Sequence, residues 1–111
     1  MKNYLCLFLV LVILLTGCTP KAKLNDDNIL IVKRTIVAVD KYLDGESDAK
    51  DTRDIVDIQE QSVKKEEDPE LNLELGIKFT VLSSSLLVDK PSDVKEARND
   101  LAKLAGLESY K

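Results

Sequence analysis

From Tyr4 to Leu15 the chain runs through twelve apolar residues without interruption, and Lys2 is the only charge before Lys21. This run decides what the rest of the chain can build. A helix that crosses the hydrocarbon core of a bilayer needs about twenty apolar residues, so twelve are too few. An uncleaved anchor and a buried helix are the alternatives. A basic start, a short apolar core and small residues at its end instead match a secretory signal, which is absent from the mature protein. The folded part must then be built from what lies downstream.

The run ends on Leu15-Thr16-Gly17-Cys18. This tetrad resembles the lipobox of bacterial lipoprotein precursors. The resemblance implies that the sulfur of Cys18 receives a diacylglyceryl group and that a signal peptidase cuts between Gly17 and Cys18. Cys18 then becomes the mature N-terminus. The chemistry suits these residue types: a thiolate is the nucleophile, and small neighbours let an enzyme approach the backbone. Two acyl chains hold a protein on a membrane where one holds only marginally. The expected location is the extracytoplasmic face of the cell membrane, with the protein tethered through Cys18.

Cys6 leaves with the signal and Cys18 carries lipid, so no thiol remains for a disulfide, a metal or catalysis. Stability must come from apolar packing. From Leu24 onward there are 13 basic and 20 acidic residues, a net charge of −7, with no His and no Trp. Such a surface disfavours nucleic acid, which calls for a basic face. Lys21 and Lys23, beside the lipid, suit anionic headgroups. Residues 18–24 read as a lipidated cysteine and short basic tether, and 25–111 as one acidic domain.

Four helices are expected in that domain. Over 26–44, Ile29, Val32, Ile36, Val39 and Leu43 step by three and four, with Leu30 and Val37 flanking and Lys33, Arg34, Asp40 and Lys41 on the other side. Asn25 or Asp26 can cap the start and Gly45 follows the end. A second helix is expected over 48–66 with Ser47 as cap and a thin apolar face of Ala49, Ile55, Val56, Ile58 and Val63. Asp68-Pro69 suits the opening of a third. Residues 71–88 admit two readings. Leu71, Leu73, Leu75, Ile77, Phe79 and Val81 alternate with polar residues as a strand would, while Leu71, Leu75, Phe79, Leu82 and Leu86 also form a helical stripe. Leu73, Ile77 and Val81 make a second stripe, which predicts a helix buried on more than one side. Eighteen residues exceed an ordinary strand, and no partner strand is evident, so helix is the better reading. Pro91-Ser92 opens the last helix, 93–105, where Val94, Ala97, Leu101 and Leu104 repeat at helical spacing and Gly106 stops it, with Leu107 folding back. The expected fold is all-α: a small antiparallel bundle of three to four helices following a cleaved N-terminal signal helix.

Little chemistry is legible. Asp44, Glu46 and Asp48 occupy positions 1, 3 and 5 of a calcium loop, but Ala49 stands where the turn glycine belongs and Ile55 where the bidentate Glu belongs. Three S-x-x-K matches, at Ser47, Ser62 and Ser92, are too many in a short chain to mark an acyl-enzyme, and Ser83, Ser84 and Ser85 have no His to activate them. The acids at Glu66, Glu67, Asp68 and Glu70 read as an exposed loop whose charges favour the next helix's N-terminus, with docking to a basic partner as the alternative. No enzyme activity, cofactor or metal is expected.

Residues Ser92 to Gly106, together with Lys41-Tyr42-Leu43-Asp44-Gly45, are similar to small helical lipoproteins of uncharacterised function in Gram-positive bacteria. The expectation is a non-enzymatic, lipid-anchored envelope protein that binds or blocks another membrane or envelope protein, in an exclusion, immunity or assembly role. A small-ligand binder with a pocket between helices is the alternative.

Overall fold

The computed structural model describes residues 23–111, which form four helices: α1 Asp26–Leu43, α2 Ala49–Ser62, α3 Pro69–Val88 and α4 Pro91–Leu104. No strand occurs among the described residues. The expected signal segment and lipobox, with Cys18, lie outside them. Each helix packs on its neighbours in sequence, and α4 closes back on α1. Helices α1 and α3 therefore stand diagonally across the bundle, as do α2 and α4, and the fold is the expected all-α bundle.

Local signals set the helix ends. The Asn25 side chain accepts the Asn28 N–H at 2.8 Å and caps α1. At the other end, Gly45 adopts φ +84° and the Glu46 N–H reaches the Lys41 carbonyl at 2.7 Å, the hydrogen bond of a left-handed helix stop. Helix α4 ends the same way: Gly106 lies at φ +73° and the Leu107 N–H bonds the Ala102 carbonyl at 2.8 Å. Asp68 caps α3, with Pro69 at the first helical position.

The second helix starts and stops differently from its sequence reading. Its cap is Asp48, not Ser47; the Asp48 carboxylate accepts the Asp51 N–H at 2.8 Å. It ends at Ser62 rather than 66, because Val63 is already extended and the next residues bond elsewhere. Lys64 has both its backbone groups bound by Asn28, and the Glu66 carboxylate accepts the Asn25 N–H and the Asn28 Nδ2. Glu66 is thus buried at 4 % exposure, not part of an open acidic loop.

The core is assembled mainly by three helices. Ile31, Val32, Ile36 and Val39 of α1 meet Leu71, Leu75, Phe79, Leu82 and Leu86 of α3 and Val94, Ala97 and Leu101 of α4. Helix α2 contributes one fully buried apolar side chain, Val56. Ile55 and Ile58, expected inward, are exposed. Thr52 is the other buried residue of α2, and it returns its hydroxyl to the Asp48 carbonyl.

Asp40, expected on the solvent side, turns toward α4. Its carboxylate accepts from Arg98 Nε at 2.8 Å and from the second guanidinium nitrogen at 3.0 Å. Arg98 also donates to the Glu108 carbonyl at 2.6 Å, and Asn99 holds the Tyr110 N–H at 2.8 Å. The guanidinium, almost wholly buried, thereby straps the C-terminal segment onto the α1–α4 seam.

Candidate functional site

Helix α3 carries two faces of different fate. Leu71, Leu75, Phe79, Leu82 and Leu86 repeat at helical spacing and are buried. The stripe of Leu73, Ile77 and Val81, expected to be buried on a second side, instead faces solvent at 64, 48 and 48 % exposure. The bundle has only two neighbours for α3, and both sit on its inner half. A helix of this composition exceeds what two neighbours can cover, so its remaining apolar residues are left outside. Among the described residues it is also the helix long and apolar enough to cross a membrane by length and composition.

The outer face is continuous. Leu73, Gly76, Ile77, Thr80, Val81, Ser84, Leu87 and Val88 all lie on it and all are exposed. At 3.6 residues per turn these positions fall within one side of the helix, about 22 Å long. None is charged. Single exposed apolar residues are ordinary on a protein surface, whereas a contiguous apolar strip marks an interaction surface. Gly76 lowers the strip locally; a side chain added there would meet open space.

One flank of the strip adjoins α2. Ser83 donates to the Asp57 carboxylate at 2.9 Å, which pins α3 to α2 at that level. Glu60 sits beside Gly76, Ile77 and Thr80 in the shallow groove between the two helices. Burial raises its carboxyl above the usual range, and the Asp57 charge adds to the rise.

A second concavity lies on the other side of α3, where the chain enters α1. Its floor is Leu24, Ile29, Leu71 and Leu104, its rim includes Glu74, Lys78 and Lys103, and its volume is about 910 Å³. The rim carries charges of both signs and no single class of ion is favoured.

The residues weighed for catalysis and calcium have structural places. Asp44 accepts from the Tyr110 hydroxyl, Asp48 caps α2, and Glu46 lies in the exposed turn between α1 and α2. Ser85 returns its hydroxyl to the Leu82 carbonyl, and Ser84 is exposed on the outer strip. Among the described residues no three His, Cys, Asp or Glu side chains converge on a metal-sized site. Leu15, Thr16, Gly17 and Cys18 lie outside the described residues. No family model, no curated protein and no solved structure matches the chain.

The outer strip was present in the sequence as a second helical stripe. Its direction was not: periodicity reports that a helix has two apolar faces, but only the number of packing neighbours decides whether both are covered.

Proposed function

We propose that the protein is a non-enzymatic, lipid-anchored protein of the cell envelope that binds or blocks another membrane or envelope protein through the outer face of α3. The observation that carries this reading is the uncharged strip from Leu73 to Val88, exposed on a domain whose net charge from Leu24 onward is −7. An acidic domain gains solubility from charge everywhere else, and a charge-free strip costs solubility unless it is covered in use. The lipobox at Leu15-Thr16-Gly17-Cys18 supports attachment through diacylglyceryl-Cys18 to the extracytoplasmic face of the membrane. Exclusion, immunity and assembly are the kinds of role that an anchored contact strip at that surface would serve.

The test is made in cells. A photo-crosslinking residue at Ile77 should capture a protein in the envelope, while the same residue at Lys33, on the diagonal helix, should not. Cys18→Ser should leave a larger precursor that takes up no labelled fatty acid. Capture at Lys33 equal to that at Ile77 removes the α3 reading, and fatty acid entering the Cys18→Ser chain removes the anchor. A small-ligand role is favoured by one observation, the cleft of about 910 Å³ floored by Leu24, Ile29, Leu71 and Leu104. A compound that raises the melting temperature of the protein, and loses that effect on Leu104→Arg, would move the site there.

A further inference from the structure

Resting on the reading of Cys18 as the membrane anchor, we infer that the outer face of α1 lies on the headgroups of an anionic phospholipid bilayer. Leu30, Lys33, Arg34, Val37 and Lys41 step by three, one, three and four, the spacing of one side of a helix, and all five are exposed. Leu30 is 46 % and Val37 57 % exposed. Lys33, Arg34 and Lys41 pair with no carboxylate among the described residues, where the ion pairs are Lys50–Asp54, Lys90–Asp93 and Arg98–Asp40.

Helix α2 widens this face. The Asn28–Lys64 hydrogen bonds join the start of α1 to the end of α2, so the two helices run antiparallel. Positions 55 and 58 then come level with the stretch from Arg34 to Val37. Asp57 is turned toward α3 by its bond from Ser83. A residue two positions away points about 200° round the helix, which puts Ile55 on the α1 flank. Ile55 and Ile58 are 43 and 59 % exposed. Three unpaired bases are thus set among four exposed aliphatic side chains. That mixture suits the boundary between headgroups and acyl chains, where bases meet phosphate and aliphatic groups enter the apolar layer.

The charge around the face favours an anionic surface. The domain carries −7 from Leu24 onward, so three free bases on one side reverse its sign locally. The acids on that side are weakened or peripheral. Asp40 is taken by Arg98. Asp26 and Asp27 lie in the first turn of α1 and Asp51 in the first turn of α2, where the N–H groups of a helix start offset part of their charge. Asp44 and Glu46 follow Lys41 and limit the face at that end. A Lys or Arg near an anionic membrane favours contact about fivefold, and Lys21 and Lys23 of the tether add to the three.

The anchor brings the face within reach. Asp26, the first residue of α1, stands eight positions after Cys18, at most about 29 Å of chain. The helix itself is about 27 Å long. Contacts that would be brief for a free domain become intramolecular once the chain is tethered. With α1 on the lipid, the diagonal placement of α3 turns its outer strip away from the bilayer. The strip then meets a part of the partner that projects out of the membrane.

Fluorescence quenching in vesicles tests this. The full chain carries a fluorescent residue at Val37 or at Thr80. It is reconstituted into vesicles of phosphatidylcholine alone, or of phosphatidylcholine and phosphatidylglycerol in equal parts, each with a headgroup-nitroxide lipid as quencher. In the mixed vesicles Val37 should be quenched more strongly than Thr80, and the excess should shrink in phosphatidylcholine alone and at raised salt. Loss of three bases at about fivefold each weakens the contact on the order of a hundredfold. The excess should therefore vanish in the triple variant Lys33→Gln, Arg34→Gln, Lys41→Gln, which should keep the melting temperature of the parent. Thr80 quenched as strongly as Val37 in the mixed vesicles overturns the face. An excess equal in the two lipid compositions overturns the anionic headgroup as its ligand. A photo-crosslinking residue at Val37 that captures an acidic protein in cells, and no lipid, gives the face to that protein and also overturns the proposal. Fatty-acid uptake and flotation report on the anchor separately. A chain that takes up fatty acid and floats, with Val37 and Thr80 equally quenched, loses the face alone. A chain that takes up none and floats with neither kind of vesicle loses the anchor and the face together.

Discussion

Asn28 binds both backbone groups of one residue, Lys64: its Nδ2 donates to the Lys64 carbonyl and its Oδ1 accepts the Lys64 N–H, each at 2.8 Å. The same Nδ2 donates to Glu66 Oε2 at 2.6 Å, and the side chain is fully buried. A buried amide with its groups satisfied in this way holds the α2–α3 connection against the start of α1. The connection itself has no helix or sheet to bond to, so the side chain supplies what the backbone lacks.

Replacing Asn28 separates two costs. Asn28→Ala leaves the Lys64 groups and part of the Glu66 carboxylate without partners, a loss of about 3 kcal/mol at one to three per buried unsatisfied group. Asn28→Asp removes the donor and sets a second carboxylate against Glu66. It should destabilise more than alanine at neutral pH. Urea unfolding of the two variants at pH 7 measures the difference. Equal midpoints at pH 7 would contradict the geometry.

Arg98 and Asp40 form the other polar clamp. The guanidinium makes two parallel bonds to the carboxylate and one to the Glu108 carbonyl. Asp40→Ala leaves a nearly buried cation without its counter-charge, which costs about 3 kcal/mol. Arg98→Met keeps the volume and removes both charges' need for each other only in part, because Asp40 remains partly open to water. It should cost less than Asp40→Ala and should also release the C-terminal segment, seen as faster proteolysis after Leu107. Thermal unfolding and limited proteolysis of the two variants make the comparison.

The contrast between these clamps and the core explains what was legible beforehand. Helix existence followed from the spacing at Val32, Ile36 and Val39 and at Val94, Ala97 and Leu101, because burying one stripe is the dominant force and its period is visible in a single sequence. Caps at Asn25 and Asp68 and stops at Gly45 and Gly106 depend on residues within a turn and were equally readable. Glu66 and Asp40 were not. Their partners lie 41 and 58 positions away, and local pattern makes any such acid look solvated. The α3 strip falls between: its residues were identified, but exposure depended on how many helices surround it.

Tyr42 carries a prediction in the alkaline range. Its ring is buried at the end of α1 and its hydroxyl donates to the Asp89 carboxylate at 2.6 Å. Burial first, then the hydrogen bond and charge of Asp89, push the hydroxyl up to about 12 from 10.0. A folded value above the unfolded one means the neutral hydroxyl is the form favoured by folding. That stability is present in full below pH 10 and is lost as pH rises toward about 12. Ultraviolet titration should show a phenolate step near 12 that disappears in Tyr42→Phe. The component that Tyr42→Phe removes identifies Tyr42 among the three tyrosines, and finding that component at 10 in the folded protein would mean the Asp89 contact is absent.

The last prediction concerns where the stability resides. Leu101 is fully buried and Ile36 is 7 % exposed, each within the cluster formed by α1, α3 and α4. Removing a buried aliphatic side chain costs about 2–5 kcal/mol, through lost transfer energy and the cavity left behind. A domain of this size holds 5–15 kcal/mol in all, near the lower end for so small a core. Leu101→Ala should therefore unfold the protein or lower its melting temperature sharply, and Ile36→Ala should do so to a lesser degree because its site is nearer solvent. Lys64 and Glu67 have exposed side chains, and alanine at either should stay within about 0.5 kcal/mol. Lys64 is the stricter control: only its backbone is held by Asn28, so Lys64→Ala keeps the clamp and loses a solvated chain. Ile77→Ala belongs with these surface changes although it removes an apolar residue, because Ile77 stands on the outer strip at 48 % exposure. Thermal unfolding of the five variants under one set of conditions orders them. An Ile77→Ala loss as large as that of Leu101→Ala would place the outer face of α3 inside the core, and the contact surface built on it would have to be abandoned.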